Sequence, residues 1–477
     1  MLEELNTALR PSYNLDSVIS ILDPYIAQNV DFGTAYAYLH CRWYDITTIE
    51  HELTNCEKKD EEMRCNVLAD GRITKPNVPP RRVWDLCANR VVPYWVVKCG
   101  QWAISHAWVY EKDRADVMTP INGYEWPVPM PKDADLDLIR IEMLNLGVDY
   151  VWLDVLCLRQ EGGKNKHLRL DEWKLNMPTI GAVYEQAYDR VVYFNGLGRP
   201  LDLTPGYFDD DRCWFRRAWT LQEITWCAPI IAGVTGKDVV DAQIQTRLDK
   251  ELKLLPRMSE SPSILDYVSD MRNRVSTKLL DKVAGLVYLL YPDVVPIYDA
   301  KQSSEEAWEV LMDVMGSEYQ AELLFLYPEP GDGKKLWRPS WQQLMSNRTV
   351  VSWYRLGGKI NRTEDPDIDC YMGYCIKSGT VRGLGEVPNE PTPRQGEMDF
   401  NDVSGAPHTL EIVADHMHPI PDGVYTLLGC RSFPDRWVVG QLRQDGTFEK
   451  LSVFCSADDE ALLITLELDG YVETFIR

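Results

Sequence analysis

The sequence predicts an α/β chain whose centre, from about residue 95 to 240, is a flavodoxin-like parallel sheet. Helical segments are expected on both sides of it, and a β-rich domain at the end. Three observations carry this. Short apolar runs alternate with amphipathic stretches between 95 and 240, helical periodicity dominates after about 245, and short strand-like runs with turn residues follow beyond about 345.

Residues 1–80 read as a mostly helical region, with a solvated charged stretch at Glu57–Glu62 and a stiff boundary at Lys75–Pro80, where prolines exclude helix. Within 81–245, the run Trp102–Trp108 is the first strand of the alternating pattern. Asp133–Leu146 starts with acids, carries apolar residues at 136, 139, 143 and 146, and meets Gly147 as a stop; those spacings define an amphipathic helix. Asp149–Leu158 is apolar on both faces, as a strand buried in a parallel sheet must be. After a Gly162-Gly163 loop, Leu170–Ala187 is helical but interrupted by Pro178. Arg190–Phe194 is the third strand, Arg212–Trp226 a helix and Ile230–Val234 the fourth strand. The order implies right-handed crossovers. Region 246–345 is helical through Ser263–Leu290 and Ser303–Leu326. In 346–477, Trp437–Leu442 and Thr447–Cys455 flank Arg443-Gln444-Asp445-Gly446, a hairpin signal.

Composition narrows the function classes. The chain has 477 residues, with 50 Lys+Arg against 73 Asp+Glu, a net charge of −23. Such a surface repels polyanions, so neither nucleic acid nor an anionic membrane is expected as a partner. The first residues carry acids where a signal peptide needs a basic region, and no run reaches the roughly 18 apolar residues that span a bilayer. A cytoplasmic protein without a membrane span is the expectation. Twelve cysteines include no CxxC pair, which leaves no zinc-ribbon or thioredoxin motif. His40, Cys41, His51, Cys56 and Cys65 form a looser set that lacks paired spacing; free thiols and no metal are expected.

In a parallel α/β sheet, ligands bind beyond the carboxyl ends of the strands. There this sequence places Ser105, His106 and Trp108, then Cys157, Arg159, Gln160 and Glu161, then Asn195, Gly196 and Gly198. Asp154, inside the most apolar strand, reads either as a hydrogen-bonded anchor or as a group that orients a ligand. On a helical wheel over Cys213–Ile224, Trp214, Ala218, Leu221 and Ile224/Thr225 form the apolar side. Arg216, Trp219, Thr220 and Glu223 share the other side. A ligand-facing carboxylate and a surface ion pair both fit that pattern.

Three segments together resemble the fungal heterokaryon-incompatibility (HET) domain over about 95–240, under a third of the chain. Ser105-His106-Ala107-Trp108 resembles its Ser-Tyr-x-Trp motif, with His106 in place of Tyr. Tyr150-Val151-Trp152-Leu153-Asp154-Val155-Leu156-Cys157-Leu158-Arg159-Gln160 is similar to Tyr-x-Trp-x-Asp-x-x-Cys-x-x-Gln. Arg217-Ala218-Trp219-Thr220-Leu221-Gln222-Glu223 is similar to Arg-x-Trp-Thr-x-Gln-Glu. The resemblance implies a Toll/interleukin-1 receptor (TIR)-like fold and a cytoplasmic effector of programmed cell death. It further implies cleavage of NAD, as substrate and not as cofactor, at the nicotinamide–ribose bond. Enzymatic TIR domains use the Glu of a Trp-x-x-x-Glu pattern, which Trp219 and Glu223 match; Glu223 is thus the implied catalytic residue. Ser105, Trp108, Asp154, Gln160, Arg216 and Trp219 are the implied substrate-binding residues. Self-association through the HET domain and an unidentified protein partner are also implied. A non-catalytic death-signalling module is the alternative. A Cys157–His106 nucleophile–base dyad is a weaker reading, because the family has Tyr at the second position. Neither Gly196-Leu197-Gly198 nor Gly331–Lys335 has the spacing of a nucleotide-binding loop.

Overall fold

The computed structural model describes all residues except 11, 224–227, 235–240, 256–262, 291–292, 347–358, 387–391, 431–432 and 458–471. The chain is mixed α/β and divides into two compact units. One comprises Met1–Ser259, Arg274–Leu289 and Asp293–Lys301; the other comprises Glu260–Asn273, Leu290–Pro292 and Gln302–Arg477. Region 246–345, read from sequence as one helical region, is therefore shared between them.

The first unit opens with four helices, α1 (Leu2–Ala8), α2 (Leu15–Ala27), α3 (Phe32–Leu39) and α4 (Ile46–Asn66). Asn14, Asp31 and Asp45 cap the last three by accepting backbone N–H groups that the helix itself leaves unpaired. Leu5, Val18, Leu22, Leu39, Trp43 and Ile49 close a small apolar core among them. The charged stretch at 57–62 lies on the outer part of α4, where only Ile49 and Arg64 of the helix are buried.

After a short hairpin of β1 (Leu68–Ala69) and β2 (Arg72–Ile73) come β3 (Arg82–Asp85), β4 (Arg90–Pro93) and β5 (Trp102–His106). A hairpin of β6 (Arg114–Val117) and β7 (Val128–Pro131) leads to α5 (Leu136–Asn145), β8 (Tyr150–Leu153) and α6 (Asp154–Cys157). Then follow α7 (Arg169–Asn176), α8 (Ile180–Gln186), β9 (Arg190–Tyr193), β10 (Ile230–Ile231) and α9 (Ala242–Leu254). The central sheet has the order β10-β9-β5-β8-β3-β4. β8, β5, β9 and β10 are mutually parallel. β3 and β4 run antiparallel at one edge. The sheet is thus mixed, not purely parallel as the alternation implied. The four-residue link 86–89 between β3 and β4 is too short for a crossover and permits only an antiparallel turn. β8 and β9 are buried along their whole length, in keeping with sheet faces covered on both sides.

Three local expectations are corrected or sharpened. Pro178 does split the 170–187 segment, into α7 and α8. Asp154 is not inside a strand: β8 stops at Leu153, and Asp154 opens the single turn of α6. Over the described part of the helix expected at Arg212–Trp226 there are instead two short 3-10 turns, Trp214–Arg216 and Trp219–Gln222; Ile224, Thr225 and Trp226 lie outside the described residues. Tertiary partners take the backbone groups that a helix would use. Arg217 bridges to Val275, the Ala218 N–H donates to the Val275 carbonyl, and Arg274 donates to the Arg217 carbonyl at 2.7 Å.

In the second unit, helices Ile264–Arg272 and Ser304–Val314 begin with reciprocal capping boxes, Ser263 with Asp266 and Ser303 with Glu306. An eight-stranded sheet between Lys359 and Ile476 follows, and among the described residues every pairing is antiparallel except one. Strands Phe433–Leu442 and Phe448–Ser456 form the hairpin that Asp445-Gly446 signals, and Gly446 takes the left-handed conformation its turn needs (φ +85°). Val381, Met398, Ile412, Leu427, Trp437 and Phe454 lie in its core. No helix among the described residues is long and apolar enough to cross a membrane.

Candidate active site

The candidate site forms where β5 and β8 end. Ser105 and His106 close β5, and adjacent strand residues point to opposite faces. Ser105 therefore turns toward the 214–223 segment and His106 toward Asp154.

On the first face, the Ser105 hydroxyl donates to the Glu223 carboxylate and accepts from the buried Trp214 indole at 2.7 Å. Tyr184, buried on α8, donates to the Ile104 carbonyl at 3.1 Å, and its hydroxyl is near enough to Glu223 to feel its charge. Glu223 sits deep among these groups with only part of its surface reaching solvent. Burial pushes its carboxyl up to about 7, and Asp154 adds to the rise; the bond from Ser105 and the charges of His106 and Arg217 hold it back. A carboxyl poised near neutrality exchanges protons readily at physiological pH, a property of acid–base and charge-stabilising groups.

On the second face, His106 Nε2 and Asp154 Oδ1 are 2.9 Å apart, and Asp154 Oδ1 also accepts the Val155 N–H at 2.7 Å. Burial opposes the charged imidazole, but the Asp154 carboxylate outweighs it and raises the His106 pKa. Burial likewise opposes ionised Asp154, yet His106, the Val155 N–H and the Trp108 indole draw its pKa below the usual value. Trp108 stacks on His106 with centroids 5.7 Å apart, and the Arg114 guanidinium lies over its ring at 5.5 Å. His106 thus pairs with Asp154, a buried imidazole against a partly exposed carboxylate.

Ser105, Trp108, Asp154 and Glu223 are brought together as the sequence proposes. The other three are engaged elsewhere. Gln160 donates to the carbonyls of Asp154 (3.2 Å) and Leu158 (2.9 Å), holding the turn after α6. Arg216 donates to the Asp209 carbonyl and pairs with Asp211 at 3.2 Å. The Trp219 ring lies against Tyr298 with centroids 6.3 Å apart, and Tyr298 donates to the Asp281 carboxylate at 2.9 Å.

Three further residues belong to the site. Arg217, which a helical wheel turns away from Glu223, is close enough for its charge to act on Glu223 and Asp154, because the segment is not a helix. Trp214 falls on the apolar side of a helical wheel, but a fully buried indole N–H needs a partner, and Ser105 is that partner. Tyr184 carried no motif. Cys157 is buried, and burial pushes its thiol up to about 12. His106 is committed to Asp154, so the dyad reading finds no geometric basis. Among the described residues no three His, Cys, Asp or Glu side chains gather in a way that could hold a metal ion.

No protein family, curated protein or solved structure matches this chain.

Proposed function

We propose that this chain is a HET-type cell-death effector whose sheet domain hydrolyses NAD at the nicotinamide–ribose bond, with Glu223 as the catalytic carboxylate. The single observation that carries the reading is Glu223 itself. It is a desolvated carboxyl beyond the carboxyl end of β5, bonded to Ser105 and titrating near neutrality. The four parallel strands follow, from β8, the order 2-1-3-4, which is that of flavodoxin-like sheets and supports a TIR-like domain.

The chemistry suits such a group. Nicotinamide leaves as a neutral ring from a cationic one, so no strong acid is needed to expel it. The ribosyl centre gains positive charge in the transition state, and a nearby carboxylate stabilises it. A cationic pyridinium beside Glu223 also lowers its pKa, so substrate binding itself favours the ionised form. Trp108, partly exposed and already stacked on His106, offers a face for adenine or nicotinamide. Self-association, an unidentified protein partner and a cytoplasmic location belong to the same proposal.

One observation favours a second reading, a non-catalytic signalling module: the hydrogen-bond partner of Glu223, Ser105, is itself part of the sheet domain. Nicotinamide release from NAD by the full chain, dilute and concentrated, beside Glu223→Gln, separates the two. Release that rises with concentration and is lost in the variant is the expected result. No release at any concentration from folded wild-type protein overturns the NAD-hydrolase reading.

A further inference from the structure

At the opposite end of β8 from Asp154, a second cluster joins α3 to the sheet. Asp85 and Tyr150 are cross-strand partners on β3 and β8. His40, which follows the last turn of α3, stacks on Tyr36 with centroids 4.9 Å apart and nearly coplanar rings. Its Nδ1 lies 3.0 Å from the Tyr36 carbonyl, which can only accept, so Nδ1 carries the hydrogen. Nε2 is then the basic nitrogen, and it lies 3.2 Å from Cys41 Sγ. The Tyr150 hydroxyl is 3.1 Å from the same sulfur and 3.2 Å from Nε2. Buried Asp85 Oδ2 has no hydrogen bond and faces His40 Nδ1 at 3.7 Å, where it favours a positive imidazole.

We propose that Cys41 is a redox-modification site, in which His40 takes the thiol proton, the imidazolium and Tyr150 hold the thiolate, and hydrogen peroxide oxidises it to the sulfenic acid. The thiolate sulfur attacks one peroxide oxygen; the S–O bond forms as the O–O bond breaks. The departing hydroxide takes the Nε2 proton from His40 and leaves as water. Sulfur loses two electrons and peroxide gains them.

The surrounding charges act together. Tyr36 comes from α3, Asp85 and Cys87 from β3 and the turn after it, Asp149 and Tyr150 from the start of β8, and Cys99 from the approach to β5. Burial and Asp85 oppose the Cys41 thiolate, but the bonds from His40 and Tyr150 outweigh them and lower its pKa. Burial opposes the imidazolium as well, and Cys41 with Asp85 outweighs it. Cys41 is half-buried and keeps access to a small oxidant.

The test uses the full chain and the exposed Cys65 as an internal reference. Iodoacetamide labelling of the two cysteines is followed by peptide mass spectrometry from pH 6.5 to 9. The Cys41-to-Cys65 rate ratio is expected to fall at least about fivefold across that range, because a free thiol ionises only near 8.5. Taking a ratio removes the effect of different access. Peroxide followed by dimedone is expected to trap sulfenic acid on Cys41, and His40→Asn to abolish both effects. A ratio constant within about twofold in wild-type protein overturns the proposal, whatever the variant does. So does trapping on Cys65 without Cys41, or an unchanged ratio profile in a folded His40→Asn protein.

Discussion

The Glu223 carboxylate accepts a hydrogen bond from the Ser105 hydroxyl, 118 residues earlier in the chain, and that hydroxyl in turn accepts from the Trp214 indole. One hydroxyl thus satisfies a buried donor and a partly buried acceptor at once. The first two expectations follow from this relay.

Glu223→Gln should change the pH dependence of stability. An unfolded Glu ionises near 4.5 and folded Glu223 near 7, so between them the folded state holds an extra proton. Wild-type stability therefore falls as pH rises from about 4.5 to 7 and is flat above. The variant lacks that slope and should be more stable at pH 8, on the order of 3 kcal/mol. Urea midpoints at pH 5 and pH 8 measure this. A variant less stable than wild type at pH 8 would mark the carboxylate as a structural anchor.

Ser105→Ala removes the acceptor from a fully buried indole N–H. The expected loss is about 1–3 kcal/mol, read as a lower urea midpoint. It also removes a donor that holds the Glu223 pKa down. The acid limb of any NAD-hydrolysis pH profile should then move to higher pH.

Asp154→Asn breaks the pair with His106. The raised His106 pKa adds stability that is present below about 6.5 and lost as pH rises through the folded value; the lowered Asp154 pKa adds stability lost as pH falls through its own. The variant should cost about 2–3 kcal/mol near pH 6, and less at pH 9. Denaturation at the two pH values decides it.

Lys450, in the second unit, is fully buried and donates to the Leu323 carbonyl at 3.2 Å; burial pushes its ammonium down to about 7. The cost of that charge is full below pH 7 and relieved as pH rises toward the unfolded value near 10.5. Lys450→Met should stabilise this unit by about 2–4 kcal/mol at pH 6, with the gain fading by pH 10. Calorimetry at both pH values tests it.

Elements with strong local signals were legible from sequence. Strands Trp102–His106, Tyr150–Leu153 and Arg190–Tyr193, the helix after Asp135, the break at Pro178 and the turn at Gly446 all follow from periodicity, caps and turn residues. The 214–222 segment was not legible. Its 3.6-residue pattern is genuine, but Val275 and Arg274 compete for its backbone from more than fifty residues away, and no local rule registers that.

By itself the sequence determined that Ser105 and His106 stand at the end of the first strand, through its apolar run and the chain order, whereas the place of Asp154 just beyond β8 came from the fold. Only the tertiary structure decided which carboxyl is desolvated and which is paired. Asp154 is kept ionised by His106, and Glu223 is lifted toward neutrality by its surroundings. The physical reason is that a pKa depends on surrounding charges and on water excluded by distant segments, and neither is a property of local pattern.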